Sequence, residues 1–393
     1  MKIALSIDSF YPCIDGPINV TSSLAEIFNR SDSCSVLAPG AKGKYTDSFD
    51  YEVLRCRSIS APEKYRYALP LFDSGFRKKV AERQFDIFHA QSPFVMGRYA
   101  IRMAKRSNVP VIATFHTRYY DDFLRCSGSE SIAKTLTRKI VKTYECADEV
   151  WTVSKAAQKT LRDYGYTGES KIVRNGTDMV YPNDDCALVD KINEKHKLKG
   201  RKNVFLYVGR IAAYKNLDML IGAFKLLKHS GTEFTVLIVG GGFDEQSFKK
   251  KVKESGLSDR FIFVGTVSDR KQLQGYYLRC DALVFPSTFD TASLAPIEAA
   301  AHKKPSFVVR ESGSSESITD GRNGFLCEET DVSMSKTILF ALPYLKAVGE
   351  NAYKDVYRSW ETVAKEIRPL YDDAIAEYGK KSIKNSGNVY AKP

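Results

Sequence analysis

Phe234-Thr235-Val236-Leu237-Ile238-Val239 runs six residues without a charge, and Gly240-Gly241-Gly242 stops it. A run this short, rich in β-branched residues and without polar alternation, suits a parallel strand covered on both faces. Val109-Pro110-Val111-Ile112-Ala113-Thr114-Phe115 reads the same way. Working outward, strands are expected at 2–7, 34–38, 52–55, 85–89, 109–115, 149–153 and 171–174. A second set follows at 203–208, 234–239, 261–264, 281–285, 305–309 and 325–327. Helical patterns lie between them, with 95–107, 130–147 and 217–229 among the clearest. This alternation predicts an α/β chain of two doubly wound, Rossmann-like units. With 393 residues the chain is long enough to build two cores.

The polar interval opening at Tyr181-Pro182-Asn183-Asp184-Asp185 places the junction near 177–202, giving a first domain at 1–177 and a second at 178–365. Residues 355–379 are expected to be helical, with Trp360, Ile367, Leu370, Tyr371 and Ile375 at roughly helical spacing. The segment 366–393 is expected to be a helix and tail returning to the first domain, its last dozen residues frayed.

Composition narrows the class. No apolar run approaches the ~20 residues needed to span a bilayer, and Lys2-Ile3-Ala4-Leu5-Ser6-Ile7 begins in a strand pattern with no secretory leader ahead of it. The eight cysteines are scattered without a C-x-x-C pair, which points to reduced thiols in a cytoplasmic protein and away from a zinc ribbon. The formal charge of +12 implies an anionic partner. Between Lys64 and Arg106 ten Lys or Arg face three acids, with Tyr67, Leu69, Leu71, Phe72 and Phe76 interleaved. That segment is either a solvated basic face or a surface that sits on anionic lipid head groups. Nucleic acid is not expected, because neither a recognition module nor an aromatic-rich strand pair is present. A dehydrogenase is disfavoured as well, since the first strand is not followed by Gly-x-Gly-x-x-Gly.

Two stretches carry the chemistry. Val208-Gly209-Arg210, with Lys215, follows the strand expected at 203–208. Asp290 and Glu298 flank the turn after the strand at 281–285, within Phe289-Asp290-Thr291-Ala292-Ser293-Leu294-Ala295-Pro296-Ile297-Glu298. Ligands of open parallel sheets bind at the carboxyl ends of strands. A guanidinium fork and an ammonium there suit a diphosphate, and two carboxylates suit sugar hydroxyls. Free N–H groups where the second stretch turns into a helix would favour an anion. Together the stretches predict a nucleotide-sugar site.

These stretches resemble those of the retaining, family 4 glycosyltransferases of the GT-B fold, most like the members that glycosylate diacylglycerol. The resemblance extends to Val236–Gly242, Phe263-Val264-Gly265-Thr266-Val267-Ser268, Arg174-Asn175-Gly176-Thr177-Asp178 and Asp320–Leu326. It implies two Rossmann-like domains facing across a cleft, acceptor-side first and nucleotide-sugar-binding second. It further implies that Arg210 and Lys215 bind the diphosphate, Glu298 the ribose and Asp290 the donor sugar. Gly16, Gly209, Val267, Ala292, Ser293 and Leu294 would complete the donor site. Ala113-Thr114-Phe115-His116-Thr117, followed by Tyr119-Tyr120, is similar to the segment of lipid-glycosylating members in which the His reaches the sugar. On its residues alone, His116 is a lone strand-end histidine, a kind more often structural or incidental than functional. His89 matches the family too, with a structural or acceptor-side role expected.

Three departures stand out. Asp290 replaces the usual Glu and is shorter by a methylene, which bears on sugar choice. Ser293 stands where Gly is usual. Pro17, after Gly16, offers no N–H to a phosphate. The implied mechanism is retaining, with the leaving diphosphate stabilised by cations and helix-terminal N–H groups in place of a metal ion. No cofactor is expected, and the nucleotide-sugar is a substrate. The acceptor is expected to be a lipid, with Arg77, Lys78, Lys79 and Tyr119 as membrane or acceptor contacts on a peripheral, cytoplasmic protein. A soluble or polysaccharide acceptor, a nucleotide-sugar 2-epimerase and a non-catalytic nucleotide-sugar-binding protein are the competing readings.

Overall fold

The computed structural model describes residues 1–43, 45–60, 66–182 and 186–387, with side chains through residue 380. Lys64 and Tyr65 of the basic segment, Asn183–Asp185 of the expected junction and the tail from 388 lie outside the described residues. The chain forms two compact units, Met1–Asn175 with residues from Trp360 onward, and Gly176–Ser359.

The first unit runs β1 (Lys2–Ser6), α1 (Gly16–Asn29), β2 (Ser33–Pro39), β3 (Glu52–Cys56), β4 (Ser58–Ser60), β5 (Arg66–Ala68), α2 (Ser74–Arg83), β6 (Ile87–Ala90) and α3 (Val95–Ser107). It continues with β7 (Val111–Phe115), α4 (Tyr119–Ser127), α5 (Glu130–Tyr144), β8 (Glu149–Thr152), α6 (Lys155–Asp163) and β9 (Lys171–Ile172). Its main sheet has the order β3-β2-β1-β6-β7-β8-β9, with each neighbour pair parallel. Every residue of β6 and β7 is buried, and their two polar side chains, His89 and Thr114, pair with each other.

The second unit runs α7 (Cys186–His196), β10 (Val204–Val208), α8 (Leu217–His229), β11 (Thr235–Val239), α9 (Glu245–Glu254), β12 (Phe261–Gly265), α10 (Arg270–Arg279) and β13 (Ala282–Phe285). After these come α11 (Ala295–Ala301), β14 (Ser306–Val309), β15 (Phe325–Cys327), α12 (Asp331–Ala341) and α13 (Leu345–Asp355). Its sheet has the order β12-β11-β10-β13-β14-β15, again parallel throughout. Chain direction across the sheet reverses between β10 and β13, and the crevice outside their carboxyl ends is where such a sheet receives ligands.

The helix expected at 355–379 is divided: α13 ends at Asp355, and α14 (Trp360–Gly387) begins after a break. Trp360, Val363, Ile367 and Tyr371 of α14 are buried in the core of the first unit. Trp151 and Tyr371 stack there with centroids 5.6 Å apart. His89 lies 2.6 Å from the Tyr371 hydroxyl through Nδ1 and 2.6 Å from Thr114 Oγ1 through Nε2. Both ring nitrogens are thus engaged, and His89 is a buried link between sheet and helix.

The short antiparallel pair β4–β5 had no signal in the sequence. It changes the reading of the basic segment. The stretch from Tyr67 to Val80 is made of three pieces, the end of β5, a single 3-10 turn at Pro70–Phe72 and α2 from Ser74. Phe76 and Val80 turn into the protein core, so α2 has no apolar face left for a bilayer.

Candidate functional site

β10 delivers Gly209 and Arg210 to the carboxyl edge of the second sheet. Backbone bonds fix the turn: Gly209 N donates to Val239 O and Ile211 N to Gly241 O, each at 3.0 Å. The Tyr207 hydroxyl donates to Arg210 O at 2.9 Å. The glycines after β11 are dictated by this approach. A Cβ on Gly240 would stand 1.9 Å from Gly209 O, and one on Gly242 would stand 2.0 Å from Ile211 O. Gly240 also has φ +136°, a conformation that L side chains rarely adopt.

The two motif stretches meet. Lys215, in the 3-10 turn Ala213–Lys215, places Nζ 2.5 Å from Asp290 Oδ1 in the loop after β13. The ammonium also lies 5.5 Å from the Tyr214 ring centroid and 5.9 Å from that of Phe289. The expected division between a phosphate cation and a sugar carboxylate is therefore drawn across one ion pair. Asp290 Oδ2 is buried and has no hydrogen-bond partner among the described residues. Arg210 is half-buried, with a guanidinium nitrogen 3.5 Å from the Tyr214 hydroxyl. Gly313, which no motif marked, holds this loop: a Cβ there would stand 2.2 Å from Thr291 O and 2.4 Å from Asp290 O.

The expected anion cradles are smaller than the sequence suggested. α11 has seven residues and carries Pro296 in its first turn. Ser293 Oγ accepts from Ala295 N at 3.4 Å, so the serine occupies a donor that a glycine would leave open. At α1 the Asp15 carboxylate accepts from Ile18 N at 2.9 Å. An anion approaching Gly16 there meets a like charge. Val267 packs against the core of the second unit, and Ala292 and Leu294 are half-buried beside Asp290.

Glu298, on α11, is 5% exposed. Its Oε1 accepts from Arg270 at 2.9 Å and its Oε2 from the Tyr277 hydroxyl at 2.7 Å. Arg270 is held in turn by Asp178, through Nε at 2.9 Å and through a second, shorter contact. Burial works against the Arg270 charge, and the Glu298 and Asp178 carboxylates overcome it. His302 stacks on Tyr277 at an interplanar angle of 5° and lies 2.7 Å through Nδ1 from Glu298 O. Arg270, Tyr277 and His302 lie outside the motifs, and only the carboxylate they support gave a sequence signal.

In the first unit His116 follows β7, and its Nε2 donates to Gln91 Oε1 at 2.7 Å. Burial pushes its pKa down to about 4, so the ring is neutral at pH 7. Tyr119 is 7% exposed and packs edge-on to Phe94 and Phe115. That burial corrects the expectation that Tyr119 touches a membrane. Arg77, Lys78 and Lys79 are exposed on α2. Among the described residues, no group of three or more His, Cys, Asp or Glu could hold a metal ion, and no helix is long and apolar enough to cross a membrane.

Similarity to known proteins agrees with this architecture. Residues 18–180 match the model for Glycosyltransferase Family 4, and residues 189–354 that for Glycosyl transferases group 1. The α-monoglucosyldiacylglycerol synthase of Acholeplasma laidlawii is 25% identical over 97% of this chain and 99% of its own. Its Streptococcus pneumoniae counterpart is 22% identical over 95% and 86%. Among solved structures, sucrose-phosphate synthase from Thermosynechococcus elongatus superposes with a TM-score of 0.80 at 21% identity, over 96% of this chain and 99% of that one. The Anabaena HepE protein in complex with UDP-glucose gives 0.72 at 19%, over 95% and 100%. With two parallel doubly wound sheets and both family models matched across them, the chain belongs to the family 4 glycosyltransferases and has the GT-B fold.

Proposed function

We propose that this glycosyltransferase moves a hexose from a nucleotide-sugar, UDP-glucose or a close analogue, to a lipid acceptor such as diacylglycerol, with retention at the anomeric carbon. The observation that carries this reading is the Lys215–Asp290 ion pair outside β10 and β13, where the sheet order reverses, with Arg210 reaching Tyr214 on the same turn as Lys215. The unpartnered Asp290 Oδ2 supports a hydroxyl ligand, because a buried acceptor left unsatisfied costs about 1–3 kcal/mol. The diacylglycerol relatives favour the lipid, and the neighbour holding UDP-glucose favours the donor.

In this reading a donor diphosphate draws Lys215 from Asp290 and joins Arg210. The acceptor hydroxyl oxygen bonds to the anomeric carbon from the face that the leaving group vacates. The carbon–oxygen bond to the diphosphate breaks, and the hydroxyl proton passes to the departing phosphate. Fixed cations stabilise the charge that develops there. His116, neutral at pH 7, serves as a hydrogen-bonding contact to the sugar and not as an acid. No metal takes part, so turnover is expected to persist in excess EDTA.

Membrane contact is assigned to the exposed Arg77, Lys78 and Lys79, with Leu71 and Phe72 on the preceding turn. In this reading the protein is peripheral and works at the cytoplasmic face. Radiolabelled UDP-glucose incubated with diacylglycerol vesicles, followed by product chromatography and anomer assignment by NMR, tests the whole reading. A labelled α-glucosyl lipid is expected. Label passing only to added soluble glycans would replace the lipid acceptor, and sugar isomerised without transfer would point to an epimerase.

A further inference from the structure

Among the described residues the Glu298 carboxylate accepts two hydrogen bonds, one through each oxygen, from Arg270 and Tyr277. A carboxylate has about four lone-pair positions, so about two remain, which matches the two hydroxyls of a vicinal diol. Arg270 is the member that joins distant parts of the second unit. It connects Glu298, 28 residues away, to Asp178, 92 residues away. The planar guanidinium fork allows both contacts at once, which a lysine ammonium would not reproduce. Removing it would leave the nearly buried Glu298 carboxylate without its cation, a costly state that the side chain would relieve by moving.

We propose that Arg270 is a positioning residue for the donor: held by Asp178, it fixes the Glu298 carboxylate so that its two open lone-pair positions receive the vicinal hydroxyls of a nucleoside ribose. This rests on the reading of Glu298 as the ribose ligand. The link also gives Asp178, at the end of the Arg174–Asp178 signature, a physical task.

The test is calorimetry with a ligand pair: UDP, or GDP should the wild type bind that instead, and its 2′,3′-dideoxy analogue. Arg270→Gln is expected to weaken binding of the ribonucleotide by about 10- to 100-fold, the range for a lost hydrogen-bonding arrangement at a charged group. Affinity for the dideoxy analogue is expected to stay within about twofold, since the bonds in question are absent from it. Donor KM should rise while kcat at saturation is largely kept, and Arg270→Lys should recover only part of the loss.

Equal losses on both ligands, or none on either, would overturn the proposal. Should Arg270→Gln fail to fold, Arg270→Lys and Asp178→Asn decide it by the same ligand comparison. Glu298→Gln separates the two ideas: if it does not discriminate between the ligands, the ribose reading fails. If Glu298→Gln discriminates and the Arg270 variants do not, only the role of Arg270 fails. A wild type that binds neither nucleotide would overturn both.

Discussion

Lys215 and Asp290 carry opposite charges that the proposed reaction needs separately, yet they are joined at 2.5 Å. A diphosphate must therefore compete with Asp290 for the ammonium. Asp290→Asn is expected to tighten UDP binding several-fold, while turnover falls by about 10²-fold or more for want of the sugar contact. Lys215→Ala should lose both, with turnover down about 10²–10³-fold. Calorimetry beside a transfer assay separates the cases, and weaker UDP binding by Asp290→Asn would show that the pair does not compete. His89 and His116 support a second residue-scale prediction. Burial pushes their pKa values from 6.5 down to about 3 and about 4, and the nearby His116 charge works against protonation of His89 as well. The unfolded chain thus binds protons below pH 6.5 that the native state refuses. Stability should be flat above about pH 7 and fall as pH drops from 6.5 towards 4, by a few kcal/mol in all. Urea unfolding at a series of pH values measures the slope, which His89→Asn and His116→Asn should each reduce.

At the scale of elements, the loops at the strand ends are set by backbone packing. Gly240→Ala places a Cβ 1.9 Å from Gly209 O at φ +136°, so the turn carrying Arg210 must shift. Turnover is expected to fall at least tenfold and stability by about 1–3 kcal/mol. Wild-type turnover in that variant would mean that the turn tolerates displacement. The strand runs were legible in the sequence because strands covered on both faces are largely apolar, as β7 is apart from Thr114. The pair β4–β5 was not, for three-residue strands leave no periodicity to read. α2 shows the opposite difficulty. Its interleaved cations and aromatics suit a lipid-facing surface on paper, but Phe76 and Val80 turn inward, and the residues left outside are small or charged, Arg77, Lys78, Lys79, Glu82 and Arg83 among them.

For the whole molecule, surface charge predicts where the chain goes. The formal charge is +12, and Arg77, Lys78 and Lys79 lie near the exposed Phe72. Replacing all three cations with Ser should weaken sedimentation with phosphatidylglycerol vesicles by ~3 kcal/mol at low salt, and added salt should weaken it further. Unchanged sedimentation would move the membrane contact elsewhere. The sequence by itself determined the class, the two sheets and the positions of Arg210, Lys215, Asp290 and Glu298, because strand periodicity and strand-end chemistry are local properties. Tertiary structure alone decided that Lys215 is paired with Asp290, that Arg270 and Tyr277 hold Glu298, and that Tyr119 is buried. Those contacts join side chains on different elements, and their partners are chosen by strand order and packing, which no short stretch of sequence encodes.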